Sequence, residues 1–173
     1  MKPNSNYLVR AKMTKIKRIL FICYANTCRS PAAQHLANFY GKKYELKGVV
    51  FDSAGWHNAF DYAQPETIDY IQSKGIKISD FQPKVITREL IEKQDLIIGM
   101  ERYHLTKVKK RFRDLQEQLK HKLYTLKEFN GADKKDLNVP DPYKTEKKRY
   151  DEILEIVEKN VKALVKKVKR INQ

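Results

Sequence analysis

The chain has 173 residues, 41% of them hydrophobic and 10% aromatic, which suits one domain with its own core and is too apolar for a disordered chain. Thirty-six Lys and Arg against 21 Asp and Glu leave a net charge of +15, which points to an anionic partner: nucleic acid, membrane surface or phosphorylated substrate. Two cysteines, Cys23 and Cys28, exclude a disulfide framework and a Cys-rich zinc module. The scattered His35, His57, His104 and His121 have no metal-binding spacing, and the longest apolar run, Ile19 to Ala25, is too short to span a bilayer.

Residues 1–16 carry Lys2, Arg10, Lys12 and Lys15 without an acid and read as a basic extension, with Tyr7 to Val9 a possible edge element. This stretch has no hydrophobic segment of a secretory signal, so a cytoplasmic, reducing compartment is expected. From residue 17 onward (17–173) the pattern is α/β. Arg18 to Ile22 reads as a strand buried on both faces, and the polar loop Tyr24 to Arg29 follows it. Ser30 and Pro31 then open a helix to about Tyr40, where Gly41 marks a stop. Gly48 to Ser53 is a second strand, Pro65 to Ser73 a helix closed by Gly75, and Asp95 to Met100 a third strand. Glu101 to about Lys120 reads as one helix, and Lys122 to Leu126 as a fourth strand. From Tyr150 to Ile171, residues Ile153, Ile156, Val157, Val161, Leu164, Val165 and Val168 recur at three- and four-residue spacing, as on an amphipathic helix. Strands alternating with helices argue a single doubly wound parallel sheet.

Ligands of such sheets bind beyond the carboxyl ends of the strands. There the chain reads Cys23-Tyr24-Ala25-Asn26-Thr27-Cys28-Arg29-Ser30-Pro31, a C-x5-R-S loop between a strand and a helix start. Amide groups of a tight loop make an anion-binding concavity, and a helix N-terminus adds partial positive charge. Positive potential favours a thiolate, the nucleophilic form of cysteine. Arg29 offers a planar fork for two phosphoryl oxygens, Ser30 a hydrogen bond to sulfur, and Asn26 a tolerance of left-handed backbone. Taken singly, Cys23 is an ordinary buried thiol and Arg29 solvated surface; the strand–loop–helix context favours a phosphoryl-transfer site. Departure of an alkoxide or phenoxide needs an acid. Asp141, stiffened by Pro140 and Pro142, is the candidate, against an ordinary proline turn.

These residues resemble the low-molecular-weight protein tyrosine phosphatases from about Lys17 to the C-terminus. The resemblance rests on the Cys23–Pro31 loop, the segment Asp52-Ser53-Ala54-Gly55, and the late Asp141-Pro142-Tyr143. It implies a four-stranded parallel sheet flanked by helices on both faces, and hydrolysis of phosphotyrosine in phosphorylated proteins without metal or cofactor, releasing inorganic phosphate. Cys23 is implied as the nucleophile forming a phosphocysteine, Arg29 as the phosphoryl clamp, Ser30 as thiolate stabiliser and Asp141 as general acid and then base. Asn26 would brace the loop. Cys28 would trap an oxidised Cys23 as a reversible disulfide. Trp56 and Tyr143 would be aromatic walls of the substrate groove, with a core role the competing reading for Trp56. A monomer or weak dimer is expected, with no membrane association.

The sequence departs from the family pattern at four places. Ala25 stands where Gly is usual, Lys144 follows Tyr143 where a second aromatic is common, and Phe81 aligns with a His that helps brace Asn26 in relatives. Thr27 occupies the position where related protein-arginine phosphatases carry Thr, so phosphoarginine is the alternative substrate. Arsenate reductases share the loop but use redox cysteines further on, and none follows Cys28. A nucleic-acid-binding module is the competitor from another class, suggested by the basic segments from Arg102 to Lys122 and Lys159 to Arg170. Neither has a single-strand stacking pattern or a helix-turn-helix, and solvated helix faces explain both.

Overall fold

A computed structural model describes residues 14–173. The basic stretch around Tyr7 to Val9 lies outside the described residues. Ile16 belongs to the folded unit rather than to the extension: it is buried, its N–H donates to Asn172 Oδ1 (2.8 Å), and its carbonyl accepts from Asn172 Nδ2 (2.8 Å).

Four parallel strands form one sheet in the order β2-β1-β3-β4: β1 (Arg18–Cys23), β2 (Val50–Gly55), β3 (Leu96–Gly99) and β4 (Leu123–Thr125). The chain steps from β1 to β2 on one side and then crosses to β3 on the other. The carboxyl end of β1 is therefore the switch point of the sheet, where the flanking connections part and leave a crevice. Side chains alternate across β1. Ile19, Phe21 and Cys23 join one core, and Leu20 and Ile22 join the other.

Helices α1 (Arg29–Lys43), α2 (Pro65–Ser73) and α7 (Lys147–Asn172) cover the first face, and α3 (Arg88–Glu92) and α4 (Arg102–Arg111) the second. A buried carboxylate ties the first layer together. Glu158 of α7 accepts from the hydroxyls of Tyr40 (2.5 Å) and Tyr70 and pairs with Lys74 (3.2 Å). Burial alone would raise its pKa, but the bonds from Tyr40, Tyr70 and Lys74 hold the carboxyl below its ordinary value.

Several boundaries differ from the pattern reading. Gly41 does not stop α1, which runs on to Lys43; a Cβ at Gly41 would lie 3.3 Å from the Phe51 ring, so the glycine lets helix and sheet approach. Strand β2 lies two residues later than expected, and α7 starts three residues earlier. Within α7, Ile156 is half-buried at the edge of the apolar stripe. The single helix expected from Glu101 is broken at Phe112 (φ −114°, ψ 50°), after which come a 3₁₀ turn (Arg113–Leu115) and α5 (Gln116–Leu119). Lys109, Lys110 and Arg111 suit the negative end of α4's dipole, and Arg88 draws Asp114 into an ion pair just beyond the break. Two short helices were not foreseen, α3 and α6 (Leu126–Phe129), because four or five residues carry no readable periodicity.

Candidate active site

The loop after β1 wraps from Cys23 to Arg29 at the switch point, and its side chains are nearly all inaccessible: Cys23, Asn26, Thr27, Cys28, Arg29 and Ser30 are buried. Three loop carbonyls are drawn outward. Tyr24 O accepts from Trp56 N and His57 N (2.8 and 2.9 Å), Thr27 O from Gln64 N (2.8 Å), and Cys28 O from the Thr67 hydroxyl (3.2 Å). A trans peptide points its carbonyl and the next N–H in opposite directions. The amides of Ala25, Cys28 and Arg29 are thus turned to the other side, toward the cleft that these residues line. The first turn of α1 adds its free N–H groups and contains no acid. Helix α1 begins at Arg29, one residue before Ser30, so Ser30 is not the N-cap. Its hydroxyl is committed elsewhere.

That commitment is a directed chain of hydrogen bonds. Gln34 Oε1 can only accept, so the Ser53 hydroxyl donates to it (2.5 Å). Ser53 Oγ is then left to accept from Asn26 Nδ2 (2.9 Å), which also donates to Ser30 Oγ (2.9 Å). The Ser30 proton is left for Cys23 Sγ, 2.9 Å away. Asn26 Oδ1 accepts from the main chain of Lys84 (3.0 Å), so every polar group of this amide is used. Bracing of Asn26 therefore comes from Ser53 and Lys84, not from position 81; Phe81 packs edge-on against His35, with ring centroids 5.5 Å apart. The left-handed residue of the loop is Asn26 (φ 57°), so Ala25 fits without the glycine usual in the family. Gly55 closes the loop against β2: a Cβ there would come within 2.5 Å of Asn26 N.

Arg29 is held along one edge. Its Nη1 donates to Glu101 Oε1 (2.5 Å) and to Val139 O (2.7 Å), while Nη2 lies 3.6 Å from Asp141 Oδ2 and Nε has no protein partner. The edge formed by Nε and Nη2 remains for a bidentate anion. Glu101 went unnoticed in the sequence because it reads as the start of a helix. It is positioned by β3 and α4, and its N–H donates to His104 Nδ1 (3.0 Å). Burial, with Arg29 and Lys107 nearby, pushes His104 down to about 3, so the imidazole is neutral and serves as an acceptor.

Asp141 faces Arg29 from an exposed turn in which its Oδ1 accepts from Tyr143 N (3.1 Å). The preceding residue pair anchors the turn, since buried Val139 donates to Met100 O (2.8 Å) at the end of β3. Cys23, Arg29, Asp141 and Tyr143 line one cleft of about 50 Å³, together with Tyr24, Ala25, Thr27, Cys28, Ala59 and Phe60. Trp56 is not among them. It is 7% exposed and packs in the second core with Leu90, Leu105 and Phe112, so its assignment to the groove is corrected. Phe60 takes the place expected of it, 5.8 Å from the Tyr143 ring. No local signal marked Phe60, which sits in an irregular loop far from both motifs. Cys23 and Cys28 are both free thiols, and burial pushes Cys28 up to about 11, which keeps it protonated. Among the described residues no group of three or more His, Cys, Asp or Glu could hold a metal ion, and no helix is long and apolar enough to cross a membrane.

Comparison with known proteins gives a consistent picture. The family model described as low molecular weight phosphotyrosine protein phosphatase matches residues 18–173. A protein of Ralstonia nicotianae named probable low molecular weight protein-tyrosine-phosphatase EpsP is 29% identical over 157 residues, 90% of this chain and 99% of that one. The protein-arginine-phosphatase of Bacillus subtilis is 27% identical over 149 residues, 83% of this chain and 96% of its own length. The crystal structure of the low molecular weight protein tyrosine phosphatase from T. tengcongensis superposes with a TM-score of 0.76 at 29% identity, covering 87% of this chain and 98% of that one.

Proposed function

The chain belongs to the low molecular weight phosphotyrosine protein phosphatase family, whose members are phosphoric monoester hydrolases, and on that premise we propose that it hydrolyses phosphotyrosine in proteins through a phosphocysteine on Cys23. The observation that carries this reading is the single cleft shared by Cys23, Arg29 and Asp141. The Cys23 thiolate attacks phosphorus, forming the S–P bond as the P–O bond to tyrosine breaks. Asp141 gives its proton to the departing phenolate. Asp141, now a carboxylate, takes a proton from water, whose oxygen attacks phosphorus and expels the sulfur. Inorganic phosphate leaves and the thiolate is restored. The Nε–Nη2 edge of Arg29 and the inward loop amides hold the equatorial oxygens through both steps, and the Ser30 hydroxyl supports the charge on sulfur.

Cys28 completes the reading as the resolving thiol: a sulfenic acid on Cys23 condenses with the Cys28 thiol, giving a disulfide and water. Its burial keeps it a thiol at neutral pH, so phosphorus is left to Cys23, and in the condensation the Cys28 proton leaves with the sulfenic hydroxyl as water.

Phosphoarginine is the second reading, favoured by Thr27 on the cleft wall and by the likeness to the B. subtilis protein-arginine-phosphatase. The aromatic walls Tyr24, Phe60 and Tyr143 accept a phenyl ring or a guanidinium plane. The test is hydrolysis of p-nitrophenyl phosphate and of phosphotyrosine and phosphoarginine peptides. Cys23→Ser should abolish all of it, and Asp141→Ala should slow aryl phosphates with poor leaving groups far more than activated ones. Equal loss on both removes Asp141 from the acid role. Faster turnover of phosphoarginine, reversed by Thr27→Ile, makes the second reading correct.

A further inference from the structure

Beside the cleft runs a strip of aromatic and cationic side chains that the hydrolytic steps do not use. Tyr24, on the lip of the cleft, stacks on His57 with ring centroids 4.2 Å apart. His57 Nε2 lies 3.4 Å from Lys107 Nζ, and that ammonium stands 5.0 Å from the centroid of Trp56 and 5.4 Å from that of Tyr103. Arg111, one turn further along α4, faces the same Trp56 ring at 5.9 Å. Tyr103, Lys107 and Arg111 recur every four residues, so one face of α4 carries the strip away from the catalytic loop. The main-chain bonds from Trp56 and His57 to Tyr24 O tie its near end to that loop. The strip is therefore built into the site rather than hung on a separate element.

Its charges are not neutralised. Elsewhere Arg88 and Lys127 pair with Asp114 and Asp136, whereas among the described residues neither Lys107 nor Arg111 has a carboxylate partner. Arg102 and Lys110 stand exposed on the same helix and add to the positive field. A cation seated on aromatic faces loses little further rotamer freedom when it meets an anion. Trp56 is buried, one face of Tyr24 is taken by His57, and Lys107 sits over one face of Tyr103, so the strip is not an open run of stacking rings. What the strip presents to a partner is fixed positive charge.

We propose that this strip binds an acidic stretch of the substrate polypeptide beside the phosphorylated residue, so that the enzyme selects phosphoproteins with Asp, Glu or a second phosphate on one flank. The proposal rests on the phosphatase reading above. The acidic flank lies along α4 while the phosphoryl group enters the cleft, and selection appears in KM because the strip touches no reacting atom.

The experiment compares kcat/KM for four peptides with the same phosphorylated residue: acidic on the N-terminal flank, acidic on the C-terminal flank, neutral, and doubly phosphorylated. Each is measured with the unaltered protein and with the double variant Lys107→Glu/Arg111→Glu. One acid-flanked peptide should exceed the neutral one by about three- to tenfold through KM, an advantage that added salt shrinks and charge reversal removes. The doubly phosphorylated peptide tells whether carboxylate or phosphate is preferred. No advantage for either acidic flank, or one that survives charge reversal, overturns the proposal. So does an oligonucleotide that inhibits while acidic flanks confer nothing, which would assign the strip to nucleic acid. Should p-nitrophenyl phosphate and every phosphopeptide resist hydrolysis, it is the phosphatase reading that fails. Fluorescence anisotropy of a labelled, unphosphorylated acidic peptide, lost on charge reversal, then judges the strip alone.

Discussion

The two walls of the cleft are built on different principles. On the Cys23 wall, Asn26, Ser30 and Ser53 are fully buried and their side-chain polar groups are engaged by named partners, so the loop has one arrangement and little room to relax. On the opposite wall Asp141 and Tyr143 are exposed, and half-buried Phe60 pairs with the rings of Tyr62 and Tyr143. Cys23, the loop amides and Arg29 thus sit in a buried, preorganised seat, while Asp141 and the aromatic rim border water. Under the proposed mechanism, the difference puts the largest electrostatic contribution to rate on the buried wall and the discrimination between substrates on the open one.

The sharpest way to break that contrast is Arg29→Lys, which keeps the charge and removes the fork. Glu101 and Val139 O would compete for the ammonium, and kcat should fall by about 10²–10³-fold with p-nitrophenyl phosphate. A loss under tenfold would mean that the loop amides hold the phosphoryl group without it.

Acid stability probes the scaffold behind the buried wall. His104 titrates at about 3 in the folded chain against an ordinary 6.5, so between these values the unfolded state binds the extra proton and stability is lost as pH falls below 6.5. Down to pH 5 this amounts to roughly 2 kcal/mol. Carboxylates such as Glu158 lose stability in the same direction at lower pH, so the readout is a difference between two proteins. Urea midpoints of His104→Asn, which keeps an acceptor for Glu101 N–H, should decline less steeply between pH 7 and 5 than those of the unaltered chain.

The open wall should give the smallest effect. Phe60→Ala removes one aromatic face and should raise KM for a phosphotyrosine peptide by about three- to tenfold, with kcat nearly unchanged. A fall in kcat instead would show that the rim positions the leaving group, and the two walls would no longer divide the work as described.

Much of the site was legible because its chemistry is contiguous in the chain. Cys23 to Ser30 are adjacent residues, and an apolar run before them with Pro31 after them announces strand, loop and helix. Gly75 ended α2 as expected, at φ +75°, and Asp141 stood out through its flanking prolines. Trp56 was misplaced for a physical reason: as a large apolar ring just after Ala54 and Gly55 at the end of β2 it had two available sides, and only the packing of Leu90, Leu105 and Phe112 chose the core. Phe60 carried no pattern at all. The helix broken at Phe112 looked continuous because its apolar spacing persists through the break.

The sequence by itself determined the sheet class and the strand–loop–helix segment around Cys23, and it singled out Asp141 as the candidate acid, since backbone periodicity and short-range spacing encode all three. Tertiary structure alone decided what each of these residues touches. Glu101 and Val139 reach Arg29 across 72 and 110 residues of chain, Ser53 reaches Asn26 across 27, and the rings of Phe60 and Tyr143 meet at the cleft. Such contacts arise only when the sheet order brings the carboxyl ends of β1, β2 and β3 together, a juxtaposition that no local window of sequence contains.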